Sequence, residues 1–279
     1  MQYKLKKIRS DASFREFFRL KKGNKTSIIV TARKARYRNL IAYSAINKFL
    51  RGKGIHTPKT ISQHFSEGIM EIEDFGDNTL FHSIRKSKNI FSYYKKSVNV
   101  ILKLQKIKPI NKIKIKSNRN LKFDNYNLKN LHKDSDLFLN WYLPGVLGKR
   151  KSKKFKKKIK IELNKLYKQI YFKNKFIVHR DFHVSNIMPV KSKLGIIDTQ
   201  DVILGNPMYD VASLIDDVRI QIPLTIKNKI FQYYLKKSSL RKDIYFLKND
   251  FDILSIQRNL KILGIFYRLD IRDKKPQYS

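Results

Sequence analysis

Hydrophobic and polar positions change rhythm near residue 79. Before it the apolar runs are short. "TSIIVTA" at 26–32 is β-branched and predicts a strand. "KKGNK" at 21–25 centres on Gly23-Asn24, a turn-forming pair. With the basic and aromatic residues at 3–20 these stretches predict an antiparallel hairpin. "RNLIAYSAINKFLRGKG" at 38–54 puts Leu40, Ile41, Tyr43, Ile46, Phe49 and Leu50 on one helical face, and Gly52 and Gly54 end it. "IHTPKTISQHF" predicts a loop and a strand. "GIMEIEDFG" at 68–76 sets Ile69, Glu71 and Glu73 against Met70 and Ile72 and stops at Gly76, which predicts a strand running into a connector.

From residue 79 onward the pattern is mostly helical. Residues 79–105 predict one or two helices. Residues 106–120, basic and carrying Pro109, predict a loop. Residues 121–143 are rich in aromatics and end in "NWYLPG". The charge run "GKRKSKKFKKKIK" at 148–160 predicts a solvated helix face or loop. A helix is expected to continue over 161–174, and further helices to about 269. No internal repeat is visible. The order is a small sheet with one helix, a connector near 74–78, then a helical region. That predicts an α+β chain of two lobes with a cleft between them, residues 1–76 forming the smaller and 77–279 the larger.

Composition narrows the setting. A chain of 279 residues suits one large domain or two modest ones, and 42% hydrophobic residues with 18 Phe can bury a sizeable core. The absence of cysteine excludes disulfides and thiolate metal sites and fits a reducing compartment. "MQYKLKKIRSDASF" has no apolar h-region, and no apolar run approaches the roughly 20 residues of a membrane span. The expectation is a cytoplasmic protein with no membrane span. The net charge is +40, from 62 Lys+Arg against 22 Asp+Glu. A polyanion partner would explain it. Compositional drift explains it better, because Lys, Asn and Ile abound together and the Lys are spread along the chain. Nucleic acid is therefore not an expected partner, although the charge helps to attract anionic substrates.

One segment carries chemistry. "VHRDFHVSNIMPVKSKLGIIDTQD" runs from Val178 to Asp201. Phosphoryl transfer needs a carboxylate near the attacking hydroxyl and oxygen ligands for Mg²⁺ on the phosphates. His179-Arg180-Asp181 with Asn186 five residues after Asp181 has the kinase catalytic-loop spacing. Asp198, at the end of an apolar strand, stands where an anionic metal ligand belongs. Taken singly, Asp181 reads as a turn former, Asn186 as a turn cap and Asp198 as a strand end. Jointly they point to phosphoryl transfer. His179 and His183 do not form a zinc motif, since they lie on a loop without the glutamate of H-E-x-x-H.

"HRDFHVSNIM" resembles the aminoglycoside phosphotransferase and choline kinase superfamily. "SDASFREFFRL" at 10–20, "EIEDFGDNTLFHSI" at 71–84, "NWYLPGVLG" at 140–148, "GIIDTQDVILGNPMYDVASLIDD" at 195–217 and "QRNLKILGIFYRLDIRDKKPQY" at 257–278 resemble one bacterial branch of it. That branch includes the anomeric kinases of N-acetylmuramate and N-acetylglucosamine in cell-wall recycling.

The resemblance implies a protein-kinase-like fold, with a small antiparallel N-lobe sheet and a larger, mainly helical C-lobe. It implies ATP and Mg²⁺ as cofactors, a small sugar or alcohol as acceptor, and no obligate protein partner. It makes Asp181 the catalytic base and Asn186 and Asp198 the Mg²⁺ ligands. Ser10, Ala12, Ser13, Phe14 and Arg15 become the turn over the ATP phosphates, and Glu73 to Phe75 the hinge whose backbone bonds adenine. Asp210 becomes an anchor of the catalytic loop or a helix cap. Gln200 and Asp201 face substrate or join a structural network, and Trp141 and Tyr142 line a sugar pocket or pack in the core.

The chain departs from the pattern in places. No acidic residue lies between Glu16 and Glu67, so the usual strand-lysine to helix-glutamate pair cannot form. Arg33, Lys34 or Arg15 remain as phosphate partners. Thr31 stands where the branch often has an acid, and Thr199 where it commonly has an aromatic. The chain stops at Ser279, where relatives continue. Two other readings are a kinase of the same fold acting on a choline- or aminoglycoside-like alcohol, and a nonenzymatic basic RNA-binding pseudokinase.

Overall fold

The computed structural model describes residues 3–8, 15–33, 38–110, 112–115 and 120–274. It begins with an antiparallel sheet in the order β1-β2-β3-β5-β4. The strands are β1 (Tyr3–Ile8), β2 (Glu16–Lys22), β3 (Lys25–Thr31), β4 (Thr60–His64) and β5 (Ile69–Glu73). The expected hairpin is β2–β3, with Lys22 opposite Lys25. Gly23 in its turn has φ 58°, a left-handed value that glycine adopts without a Cβ penalty. On one face of the sheet Ile28 pairs with Ile72 and Val30 with Met70. All four are buried, as the alternation in β5 requires. The outer strand β1 is lysine-rich, which discourages edge-to-edge pairing.

Helix α1 (Arg38–Gly52) packs across this sheet and into the rest of the molecule. Leu40 and Tyr43 join Ile28, Val30, Met70 and Ile72 in one hydrophobic cluster. Ile46 and Leu50, further along the same helix, belong to the much larger second cluster. Residues 79–105 resolve into two helices, α2 (Leu80–Arg85) and α3 (Ile90–Lys106). Asn89 caps α3 by accepting from the Ser92 N–H at 3.2 Å. The stretch expected as a loop contains a two-residue ladder, β6 (Ile113–Lys114) with β7 (Asn120–Leu121).

The aromatic region becomes α4 (Leu128–Leu137), one π-helical turn over 138–142, and α5 (Leu143–Tyr167). The charge run lies on α5, which is broken once at Gly148 and ends at Tyr167, short of the expected 174. Its lysines are mostly exposed, the solvated face expected of them. Beyond it come β8 (Phe176–Val178), β9 (Ile187–Val190), β10 (Lys193–Ile196) and β11 (Ile203–Gly205). Three helices follow, α6 (Met208–Ile215), α7 (Leu224–Lys237) and α8 (Ile244–Ile271). All eight residues of α6 are buried, so it is the central helix of the larger lobe. Among the described residues no helix is long and apolar enough to cross a membrane.

Candidate active site

The segment 178–201 folds as a loop, a hairpin and a short turn. Strands β9 and β10 pair antiparallel with Ile187 opposite Ile196. The ladder continues one step further, where the Ile197 N–H donates to the Asn186 carbonyl at 3.0 Å. Asn186 and Asp198 therefore meet at one mouth of the hairpin although twelve positions separate them in the sequence. The His179 Nε2–H donates to the Ile197 carbonyl at 3.0 Å, which ties the start of the catalytic loop to the same place.

Two buried carboxylates hold the loop by its backbone. Asp210, on α6, accepts from the His179 N–H at 2.7 Å and the Arg180 N–H at 3.0 Å. Burial pushes its carboxyl up to about 6. It is the loop anchor that was expected. Asp217 accepts from the Val184 N–H at 3.0 Å. Arg180 has φ 73°, a left-handed conformation uncommon outside glycine, kept by these bonds and by the Arg258 guanidinium on its carbonyl at 3.2 Å.

Asp181 lies half-buried on this loop. Burial opposes its ionisation more than any single neighbour favours it. The Lys261 ammonium, the largest opposing influence, and the Arg258 guanidinium act against that, and the carboxyl is held well below the usual range. Lys261, from α8, keeps its own charge against burial through Tyr209, Asp181 and Asp134. Its Nζ lies 3.3 Å from Asp134 Oδ2, which also accepts from the Tyr126 hydroxyl at 2.7 Å. The result is a lysine and two arginines around one ionised aspartate, with the carboxylates of Asp134 and Asp210 also close to them.

Asn186 is oriented by its amide nitrogen, which donates to the Asp181 carbonyl at 3.0 Å and to His183 Nε2 at 3.2 Å. His183 accepts because burial, reinforced by Arg219, pushes its imidazole down to about 3 and keeps it neutral. The Asn186 oxygen receives no hydrogen bond among the described residues. Asp198 has left-handed backbone, φ 65° and ψ 40°, and a side chain 35% exposed. A carboxylate and an amide oxygen at one mouth are hard donors of the kind Mg²⁺ accepts alongside phosphate and water. No cluster of three or more His, Cys, Asp or Glu able to hold a metal occurs among the described residues.

The smaller lobe reaches into this mouth through Arg15. Its guanidinium donates to Asp198 Oδ1, and to Gln200 Oε1 at 2.9 Å. It lies between the rings of Phe17 and Tyr43, 5.5 and 5.7 Å from their centroids. Gln200 in turn donates to Asp201 at 2.8 Å, so these two side chains form a network within the segment. Arg33 is exposed at the end of β3. Ser10, Ala12, Ser13, Phe14 and Lys34 lie outside the described residues.

The connector is braced rather than loose. Arg19 of β2 donates to Asp74 at 2.6 Å and to Asp77 at 2.7 Å. The Glu73 N–H donates to the Lys59 carbonyl at 2.8 Å, and the Glu73 carboxylate accepts from the Lys59 N–H at 3.1 Å. The Phe75 backbone makes no hydrogen bond with the described residues. Its buried ring packs on His56, 4.7 Å between centroids, and over Gly195. A Cβ at Gly195 would stand 2.5 Å from that ring, so glycine is required by close approach. Trp141 and Tyr142 fall in the π-helical turn, where Tyr142 stacks on Phe138 at 5.3 Å and Arg272 lies 5.8 Å from the Trp141 ring.

Several of these groups carry no local signal. Asp134, Asp217 and the pair Arg258 and Lys261 come from three places in the chain. The one hint is that Gln257, Arg258 and Lys261 lie within about one turn of each other on a helix whose buried face is otherwise largely apolar.

Comparison with known proteins identifies the family and the fold. The family described as phosphotransferase enzyme family matches residues 4–243. An N-acetylmuramate/N-acetylglucosamine kinase of Pseudomonas aeruginosa is 25% identical over 274 residues, covering 96% of this chain and 78% of that one. Among solved structures, a spectinomycin phosphotransferase in complex with ADP and spectinomycin superposes with a TM-score of 0.67 at 15% identity, over 99% of this chain and 85% of that chain. An ethanolamine kinase of Plasmodium vivax does so with a TM-score of 0.66 at 13% identity, over 96% and 76%. These likenesses bear out the two-lobed kinase-like fold.

Proposed function

The chain belongs to the phosphotransferase enzyme family, whose members phosphorylate alcohol groups, and from that premise we propose that it transfers the γ-phosphoryl group of ATP to the anomeric hydroxyl of N-acetylmuramate or N-acetylglucosamine. Residues 1–76 serve as the nucleotide lobe and 77–279 as the catalytic and acceptor lobe. The observation that carries the reading is the meeting of Asp181, Asn186 and Asp198 around one hairpin mouth, with Asp181 kept ionised by Lys261.

Asp181 orients the acceptor hydroxyl and takes its proton as the new P–O bond forms and the bond to the leaving ADP breaks. A carboxylate held this acidic is a weak base, which suits a loose transition state in which the proton moves late. Asn186 and Asp198 hold Mg²⁺, and the ion when bound neutralises charge on the transferring phosphoryl group. Phe75 offers an unengaged backbone to adenine. Lys261, Arg258 and Arg180 beside Asp181 favour a neutral or anionic acceptor over a cationic one such as choline or an aminoglycoside.

Incubation with ATP and Mg²⁺ against a panel of amino sugars, choline and an aminoglycoside tests this. The expected result is ADP release with N-acetylmuramate or N-acetylglucosamine and an acid-labile anomeric phosphate as product. Turnover confined to choline or the aminoglycoside would overturn the acceptor. RNA binding with a steep salt dependence and no stabilisation by Mg-ATP would overturn the enzyme reading as a whole.

Gly195→Ala tests the adenine side. The new methyl group must displace the Phe75 ring, so stability should fall by about 1–3 kcal/mol. The KM for ATP should rise while the KM for the acceptor stays put. Thermal melts and steady-state kinetics read both, and an unchanged KM for ATP counts against Phe75 as an adenine contact.

A further inference from the structure

Helix α1 faces the candidate metal-binding turn, yet it offers no carboxylate to a strand lysine. It offers Asn47 instead. Asn47 is 1% exposed, and its Oδ1 accepts from the hydroxyl of Thr199, itself fully buried, at 2.6 Å. Thr199 directly follows Asp198. Tyr43, one turn earlier on α1, stands against both Asn47 and the Asp198 backbone. The Asn47 main-chain carbonyl is fixed in turn by the Thr57 hydroxyl at 3.0 Å. A helix of the smaller lobe thus grips the residue next to Asp198 by a short, buried bond between side chains 152 positions apart.

Two features distinguish this contact from ordinary packing. Asp198 is left-handed, a conformation uncommon outside glycine although aspartate adopts it more readily than most residues. Asn47 Nδ2 is buried without a well-formed hydrogen bond among the described residues, with Tyr43 beside it. A half-satisfied buried amide is costly, and leucine would fill the place without that cost. Local rules broken in this way are expected at functional sites.

We infer that Asn47 and Thr199 are positioning residues, and that their bond across the lobes sets the left-handed backbone at Asp198 and so the stance of its carboxylate. The inference rests on the reading of Asp198 as a metal ligand. The contact does for this chain what a strand-lysine to helix-glutamate pair does in protein kinases, which is to make the site complete only when the helix is docked.

The test uses the full chain with Thr199→Val, Asn47→Leu, the double variant and Thr199→Ser. Either single apolar substitution should lower kcat by about 10- to 100-fold, the range found for groups that orient a metal ligand, with the acceptor KM little changed. The double variant should be no worse than the poorer single one, because both remove the same bond. Thr199→Ser should recover most of the loss. Thermal shift with ADP alone and with ADP plus Mg²⁺ gives a readout without turnover. The Mg²⁺-dependent increment should shrink in Thr199→Val while the shift with ADP alone persists. Should Asn47→Leu fail to fold, Thr199→Val and Thr199→Ser decide the matter alone. A parental kcat and Mg²⁺ increment in Thr199→Val overturn the inference, and so does a kcat that falls only in step with melting temperature. An unaltered chain with no Mg²⁺ increment overturns the metal reading itself.

Discussion

Asp181→Asn is expected to lower kcat by about 10²- to 10⁴-fold, the range for losing a positioned general base. Asparagine keeps the size of the side chain but cannot take the hydroxyl proton. The loop should survive, because what holds it is the pair of bonds from Asp210 to the His179 and Arg180 N–H groups and the bond from Asp217 to Val184. Lys261 also keeps Asp134 as a partner. The melting temperature and the KM for ATP should therefore stay close to those of the unaltered chain while single-turnover phosphoryl transfer collapses. Near-parental turnover in Asp181→Asn would sink the assignment of the base and with it the whole site.

Asp198→Asn should lower activity far more than stability. Loss of an anionic oxygen facing the transferred phosphoryl group is expected to cost about 10²- to 10³-fold in kcat, and to shift the Mg²⁺ concentration for half-maximal rate upward. The stability change should be moderate, because the Arg15 side chain is only 5% exposed and loses its charged partner, although it keeps its bond to Gln200 Oε1. An amide oxygen can still accept from Arg15. A Mg²⁺ titration of rate alongside a thermal melt reads both quantities. An unchanged Mg²⁺ requirement would remove Asp198 from the metal site.

The parts of this site visible in the amino-acid order are those whose geometry is local. The Asp181–Asn186 spacing is a loop length, and Asp198 is marked by the apolar strand before it. The β2–β3 hairpin announces itself through Gly23-Asn24, and α1 through its 3.6-residue period. Asp210 could be assigned as an anchor from its motif. Other groups could not be found this way. Thr199 reaches Asn47, Lys261 reaches Asp134 and Arg258 reaches the Arg180 carbonyl across 152, 127 and 78 positions. Asn47 stands four residues after Tyr43 and seven after Leu40, so the helical period places it on the apolar face, and only its polar type hid it from a reading of hydrophobic positions. The ladder of β6 and β7 was equally hidden, since two-residue strands have no period to detect.

The division of α1 between two hydrophobic clusters has a consequence for the molecule as a folding unit. Leu40 and Tyr43 complete the interior of the sheet, and Ile46 and Leu50 complete that of the helical lobe. A cut between residues 76 and 77 would split the larger hydrophobic core between the two pieces. The first piece would carry Ile46, Leu50 and Ile55 with nothing to cover them, and the second would be left with a matching cavity. Neither lobe can melt without uncovering apolar surface of the other, so a thermal melt is expected to show one cooperative transition. Rearrangement of the cleft is then confined to what can move while α1 stays docked.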